Sequence, residues 1–221
     1  MLNHAALADL AGRSYRGPWS GRVALDCKYD LLPRADEVIV VMPGTDPADP
    51  LDWLRDLRAA PYWSARVGLV HAGFGHGGEA IFANLLGALA GETRVLTLTG
   101  HSLGGALAQM LAALWAAYRP GRPFRLVTFG APRVGFLNPW FAHLVRRGFE
   151  RIEYARDGDI VPRVPTRPPF NHPTWPKQIG KAVSGTPSAL AEFFDIAKIN
   201  KAIPANHSIQ RYAADLEIAG L

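Results

Sequence analysis

Apolar residues follow two periods along this chain, and their alternation lays out the elements. Residues 37–42 (Glu37-Val38-Ile39-Val40-Val41-Met42), 94–99 and 125–129 are short apolar runs closed by turn residues. Such runs suit strands buried on both faces. Residues 151–155 repeat the pattern, and shorter strands are expected at 23–29 and 67–70. Helical spacing fills the intervals. Ile81, Leu85, Leu86 and Leu89 mark a helix over 78–90, and strong helix formers run over 105–115 until Pro120-Gly121 stops them. Further helices are expected at 4–11, 52–59 and 138–147, and an amphipathic one near 188–199 carries Leu190, Phe193, Phe194 and Ala197. Residues 157–187 read as loop, and His207 opens a closing helix toward Leu216. Strands alternating with helices predict a three-layer α/β fold around a mostly parallel sheet.

With 221 residues, 48% of them hydrophobic, the chain suits a single domain over 1–221. Its 22 glycines and 18 prolines fall between apolar runs, so they mark loops rather than a disordered arm. The formal charge of +5 is scattered, with no run of five like charges. That distribution favours no nucleic-acid partner and leaves peripheral contact with a lipid surface open. Cys27 is the only cysteine, which excludes an intrachain disulfide and a cysteine-based metal site; packing suits it better than reactivity. No stretch reaches the length of a transmembrane helix. No basic start followed by an apolar stretch is visible at the N-terminus. The default expectation is therefore cytoplasmic, with secretion after loss of a leader left open.

The chemistry enters at Gly100-His101-Ser102-Leu103-Gly104, a G-x-S-x-G string between the strand at 94–99 and the helix at 105–115. A serine at such a turn is held in a strained conformation, its hydroxyl projecting at the carboxyl edge of the sheet beside a helix N-terminus. This is the nucleophile elbow of α/β-hydrolases. A second glycine-rich string, Gly73-Phe74-Gly75-His76-Gly77-Gly78, lacks the lysine of a phosphate loop and is expected to be a strand-to-helix turn.

A serine alcohol needs a base, an orienting acid and an anion pocket. Hydrolases of this fold place them in the order serine, acid, histidine. Of seven histidines only His143, His172 and His207 follow Ser102. His143 sits within a helix and His172 in a proline-rich loop suited to a fixed structural role. His207, reached after a loop, is the preferred base. Asp157 and Asp159 both follow the strand at 151–155. Asp157 beside Gly158 resembles a turn residue, whereas Asp159 leads into Ile160-Val161-Pro162, which would anchor it. Asp159 is the preferred acid. One oxyanion donor is the amide of Leu103 after the nucleophile; the other is expected from Gly44-Thr45 after the strand at 37–42, with Thr45 as donor. This chemistry calls for no metal or organic cofactor.

Ordered pieces of the chain resemble the class 3 lipases, the fungal-type triacylglycerol lipases and their esterase relatives. They are Val40-Val41-Met42-Pro43-Gly44-Thr45, Asp52-Trp53-Leu54, His71-Ala72-Gly73-Phe74, Thr99 to Ala108, Thr128 to Gly135, Asp159-Ile160-Val161-Pro162 and His207. The resemblance implies an α/β-hydrolase fold, an ester of a lipid or small molecule as substrate, Ser102 as nucleophile, Asp159 as acid, His207 as base and Thr45 as oxyanion residue. It also implies a structural role for a histidine loop near His172. Pro43 stands where the family usually has arginine, so the oxyanion loop is braced differently. The span from Asp46 to Asp52 is short, acidic and broken by proline, which predicts no large swinging lid. Aryl or feruloyl esterases and phospholipases would use the same triad, and a binding module without catalysis would normally have lost one member of it.

Overall fold

The fold is described from a computed structural model over residues 1–44, 60–165, 167–181 and 206–221. Strands are β1 (Gly21–Arg22), β2 (Lys28–Pro33), β3 (Glu37–Met42), β4 (Pro61–Ser64), β5 (Gly68–His71), β6 (Val95–His101), β7 (Phe124–Phe129), β8 (Gly135–Phe136), β9 (Glu150–Arg156), β10 (Phe170–Asn171) and β11 (Lys177–Ile179). Helices are α1 (His4–Arg13), α2 (Ala72–Ala88), α3 (Leu103–Tyr118), α4 (Pro139–Val145) and α5 (Ile209–Ile218). The central sheet runs β1-β2-β3-β6-β7-β9-β11. Pairing is parallel from β3 through β6, β7 and β9 to β11, and antiparallel only at β1-β2 and β2-β3. The carboxyl ends of the parallel strands therefore share one rim, where ligands of open α/β sheets bind.

Strand β3 explains the layering. Every residue in it is buried, but alternate side chains enter different cores. Val38, Val40 and Met42 pack with Leu107, Leu111 and Leu114 of α3 and with Ile81 and Leu85 of α2. Ile39 and Val41 pack on the other face with Leu7, Ala8 and Ala11 of α1 and with Tyr212 and Leu216 of α5. Burying each such side chain contributes about 1.5–3 kcal/mol.

The structure corrects several expected elements. The strand expected at 23–29 is replaced by a 3-10 turn over Ala24–Asp26 before β2. Leu25 and Asp26 adopt positive φ, which breaks an extended run. The glycine-rich string at 73–78 is no turn but the first part of α2. A Cβ on Gly77 would lie 2.7 Å from Cys27 Sγ, and one on Gly78 would lie 2.6 Å from Met110 Cβ, so glycine lets α2 press against its neighbours. The residues at 67–70 join a second, antiparallel sheet, β10-β8-β5-β4, that sequence reading did not anticipate. The expected loop at 157–187 contains β10 and β11. The closing helix starts at Ile209 with Ser208 as N-cap, so His207 precedes it. Helix α4 ends at Val145, short of the expected 147. The helices expected at 52–59 and 188–199, the lid span and Thr45 lie outside the described residues.

Candidate active site

Ser102 sits between β6 and α3 with φ 57° and ψ −126°, a region that L residues rarely occupy. Its amide donates to the Phe129 carbonyl at 2.9 Å, which ties the turn to β7. A Cβ on Gly100 would stand 2.8 Å from the Met42 carbonyl, and one on Gly104 would lie 2.8 Å from the Pro43 carbonyl carbon. The two glycines of the motif therefore serve the contact with the end of β3 as well as the turn itself. Leu103 opens α3, so its amide has no carbonyl one turn back and remains available at the helix N-terminus.

Asp159 and His207, 48 positions apart, meet at this rim: His207 Nδ1 lies 2.8 Å from Asp159 Oδ2. Both are buried, at 2% and 7% exposure. The Asp159 carboxylate accepts two more bonds, from the Val161 amide to Oδ1 at 2.9 Å and from the Tyr212 hydroxyl to Oδ2 at 2.7 Å. Tyr212 in turn accepts from the Arg156 amide at 2.9 Å. Burial and the adjacent Asp159 charge push the Tyr212 phenol well above its ordinary pKa, so it stays a donor. Held this way, Asp159 fixes the imidazole and leaves His207 Nε2 buried and, among the described residues, without a hydrogen-bond partner. No hydrogen bond joins Nε2 to the Ser102 hydroxyl; contacts of this kind commonly tighten only when substrate binds.

His207 nevertheless lies beside the elbow. Its ring lies 4.4 Å between centroids from that of His101, the residue preceding Ser102, with the two planes tilted by 32°. His101 Nδ1 is 2.7 Å from the Tyr15 hydroxyl. Burial, and secondarily the nearby His207 charge, hold the His101 pKa well below the usual histidine value. A neutral His101 places no repelling charge beside the His207 ring. The start of the predicted oxyanion loop also lies here, because a Cβ on Gly44 would approach the His101 carbonyl to 2.9 Å.

The other sequence candidates stand apart from this centre. Both ring nitrogens of His172 are engaged, Nδ1 with Glu153 at 2.7 Å and Nε2 with the Pro162 carbonyl at 2.7 Å. The ring thus braces the turn that follows Asp159. His143 stacks on Trp140 within α4. Asp157 is exposed beside Gly158, whose φ is 78°. Sequence reasoning missed Tyr212 and Tyr15. Tyr212 carried a readable signal: it lies with Ile209 and Leu216 on the apolar stripe of α5, and a buried phenol needs a partner.

The family description Lipase (class 3) matches residues 39–168, from β3 to the segment beyond the 161–163 turn. The chain belongs to the class 3 lipase family. Among curated relatives of this chain, the secreted mono- and diacylglycerol lipase 1 of Fusarium solani is 41% identical over 103 residues, 43% of this chain and 29% of that protein. The chloroplastic phospholipase A(1) DAD1 of Arabidopsis thaliana is 27% identical over 172 residues, 66% of this chain and 38% of that protein. The matched lipase stretch thus spans well under half the length of these relatives. The triacylglyceride lipase of Rhizomucor miehei superposes with a TM-score of 0.63 at 22% identity, covering 80% of this chain and 77% of that one. That likeness establishes the α/β-hydrolase fold of the chain. No helix among its described residues is long and apolar enough to cross a membrane.

Proposed function

We propose that this chain is a serine ester hydrolase acting on acylglycerols, with Ser102 as nucleophile, His207 as general base and Asp159 as its orienting acid. The Asp159–His207 pair, with Nε2 unpartnered among the described residues and close to a strained serine elbow, carries the reading. His207 Nε2 takes the Ser102 proton as the hydroxyl oxygen attacks the acyl carbonyl. Asp159 stabilises the resulting imidazolium. The oxyanion receives the Leu103 amide and, in this proposal, the amide of Thr45. A single donor of this kind is worth about 3–4 kcal/mol in the transition state. His207 then gives its proton to the leaving glycerol oxygen, and a water activated by the same nitrogen hydrolyses the acyl-enzyme. The acylglycerol preference is drawn from the name of the Fusarium relative.

The test combines covalent labelling with rates. A fluorophosphonate probe should label the wild type and not Ser102→Ala, and p-nitrophenyl ester turnover should vanish in Ser102→Ala and His207→Ala. His172→Ala should keep measurable turnover. Labelling that persists in Ser102→Ala, or a dead His172→Ala beside an active His207→Ala, overturns the assignment. Comparing mono-, di- and triacylglycerols then tests the substrate class.

A further inference from the structure

A cavity of about 1010 Å³ opens between α4, the start of β9 and the loop residues Arg163, Arg167 and Trp175. Arg133, Arg146, Arg151, Arg163 and Arg167 all line it, and among the described residues none of these guanidiniums pairs with a carboxylate. The two acidic residues in the wall are already committed. Glu150 is held by Arg125 and His4, and Asp159 by His207 and Tyr212. Arg133 donates to the carbonyls of Arg163 and Pro165, contacts that fix it without neutralising it. Burial, followed by the charges of Arg167 and Arg163, lowers its pKa, so the like charges are close enough to repel. Arg167 lies over the Trp175 ring, 5.0 Å from its centroid. Around this positive wall the apolar residues face outward: Trp175 is 82% exposed, Leu137 62% and Phe149 51%.

Unpaired guanidinium forks match phosphate oxygens, and an exposed aromatic and aliphatic rim suits the boundary between headgroups and acyl chains. We propose that this cavity binds the phosphate of an anionic phospholipid and thereby holds the protein on a bilayer surface. The inference does not rest on the ester-hydrolase reading: Asp159 lies in the wall, but its carboxylate is taken by His207, Tyr212 and the Val161 amide, and neither Ser102 nor His207 lines the cavity. It also gives a place to the excess of positive charge that appears scattered along the sequence.

Sedimentation with vesicles of phosphatidylcholine, with and without phosphatidylglycerol, tests it. Binding should require the anionic lipid and weaken as salt rises. Each arginine near an anionic leaflet adds about fivefold to binding, so Arg163→Glu with Arg167→Glu should weaken it by at least ~30-fold. Arg163→Lys with Arg167→Lys should retain part of it. Trp175→Ala, which leaves the charge unchanged, should also weaken it, so the proposal does not rest on charge-reversed variants alone. Thermal melts matching the wild type are required of each variant. Ser102→Ala should bind like the wild type, so loss of catalysis and loss of docking remain distinguishable. Equal binding to both vesicle compositions, or undiminished binding by the charge-reversed variant, overturns the proposal. So does complete displacement by excess inorganic phosphate together with undiminished binding by Trp175→Ala, because the cavity would then take free phosphate alone.

Discussion

Gly130→Ala would test how tightly the fold fixes the proposed acid–base pair, Asp159 and His207. Gly130 follows β7 at φ 59°, and its amide donates to the Tyr154 carbonyl at 2.8 Å. An L residue in that conformation costs about 1–2 kcal/mol. The added methyl would also stand 2.9 Å from His207 Cε1 and 3.0 Å from both Asp159 Oδ2 and His207 Nδ1. Comfortable contact begins at about 3.5–4.0 Å, so the pair must shift by roughly 0.5–1 Å. The backbone strain should lower the melting temperature by about 2–8 °C in a chain of this size. The rate should suffer more, because misplacing reacting groups by about 1 Å costs ~100-fold. Measuring kcat and KM on a p-nitrophenyl ester beside a thermal melt separates the two effects. A variant that melts early but keeps wild-type kcat would refute the reasoning, since the pair would then tolerate displacement or lie outside the chemistry.

Two further expectations concern buried polar groups. Tyr212→Phe removes a bond to a carboxylate worth about 1.5–3 kcal/mol. It should lower kcat by ~10-fold with KM little changed; a wild-type kcat would mean that Val161 and His207 suffice to hold Asp159. His71 is 4% exposed, stacks on Phe74, and has no hydrogen-bond partner on either ring nitrogen among the described residues. Burial lowers its pKa to about 4, below the unfolded value near 6.5. The native ring stays neutral while the unfolded chain takes up a proton. Its contribution is therefore complete above pH ~6.5 and is lost as pH falls toward ~4, by up to about 3 kcal/mol. His71→Phe should flatten that acid limb, read as urea midpoints at neutral and acid pH; an unchanged limb would assign it to other groups.

Much of this architecture could be read from the sequence because its core strands are continuous apolar runs with clear stops. β3 and β7 fell within a residue of expectation, and the elbow placed β6 and α3 around Ser102. The proximity of Asp159 and His207 was also accessible, since the elbow prescribes the order in which such partners follow. What escaped has physical reasons. Glycines at 73–78 look like a turn in one dimension, yet they lie where α2 approaches Cys27 and Met110 in three. β8 and β10 have two residues each, too few for any period to register. Nothing in the residue types Leu25 and Asp26 announces positive φ. The apolar spacing around Tyr212 marks a core position whose phenol needs a partner, but that the partner is Asp159 emerges only in the folded chain.

At the elbow, Gly100 and Gly104 leave no side chain between the nucleophile's turn and the end of β3. The Ser102 oxygen, the proposed attacking atom, is therefore registered by polypeptide lying directly on polypeptide, not by wedges that mutation can enlarge or trim. Laboratory evolution of such a catalyst has a free hand with the surrounding walls, where selectivity can drift while the point of attack holds still. The same feature makes these two positions poor places to insert diversity.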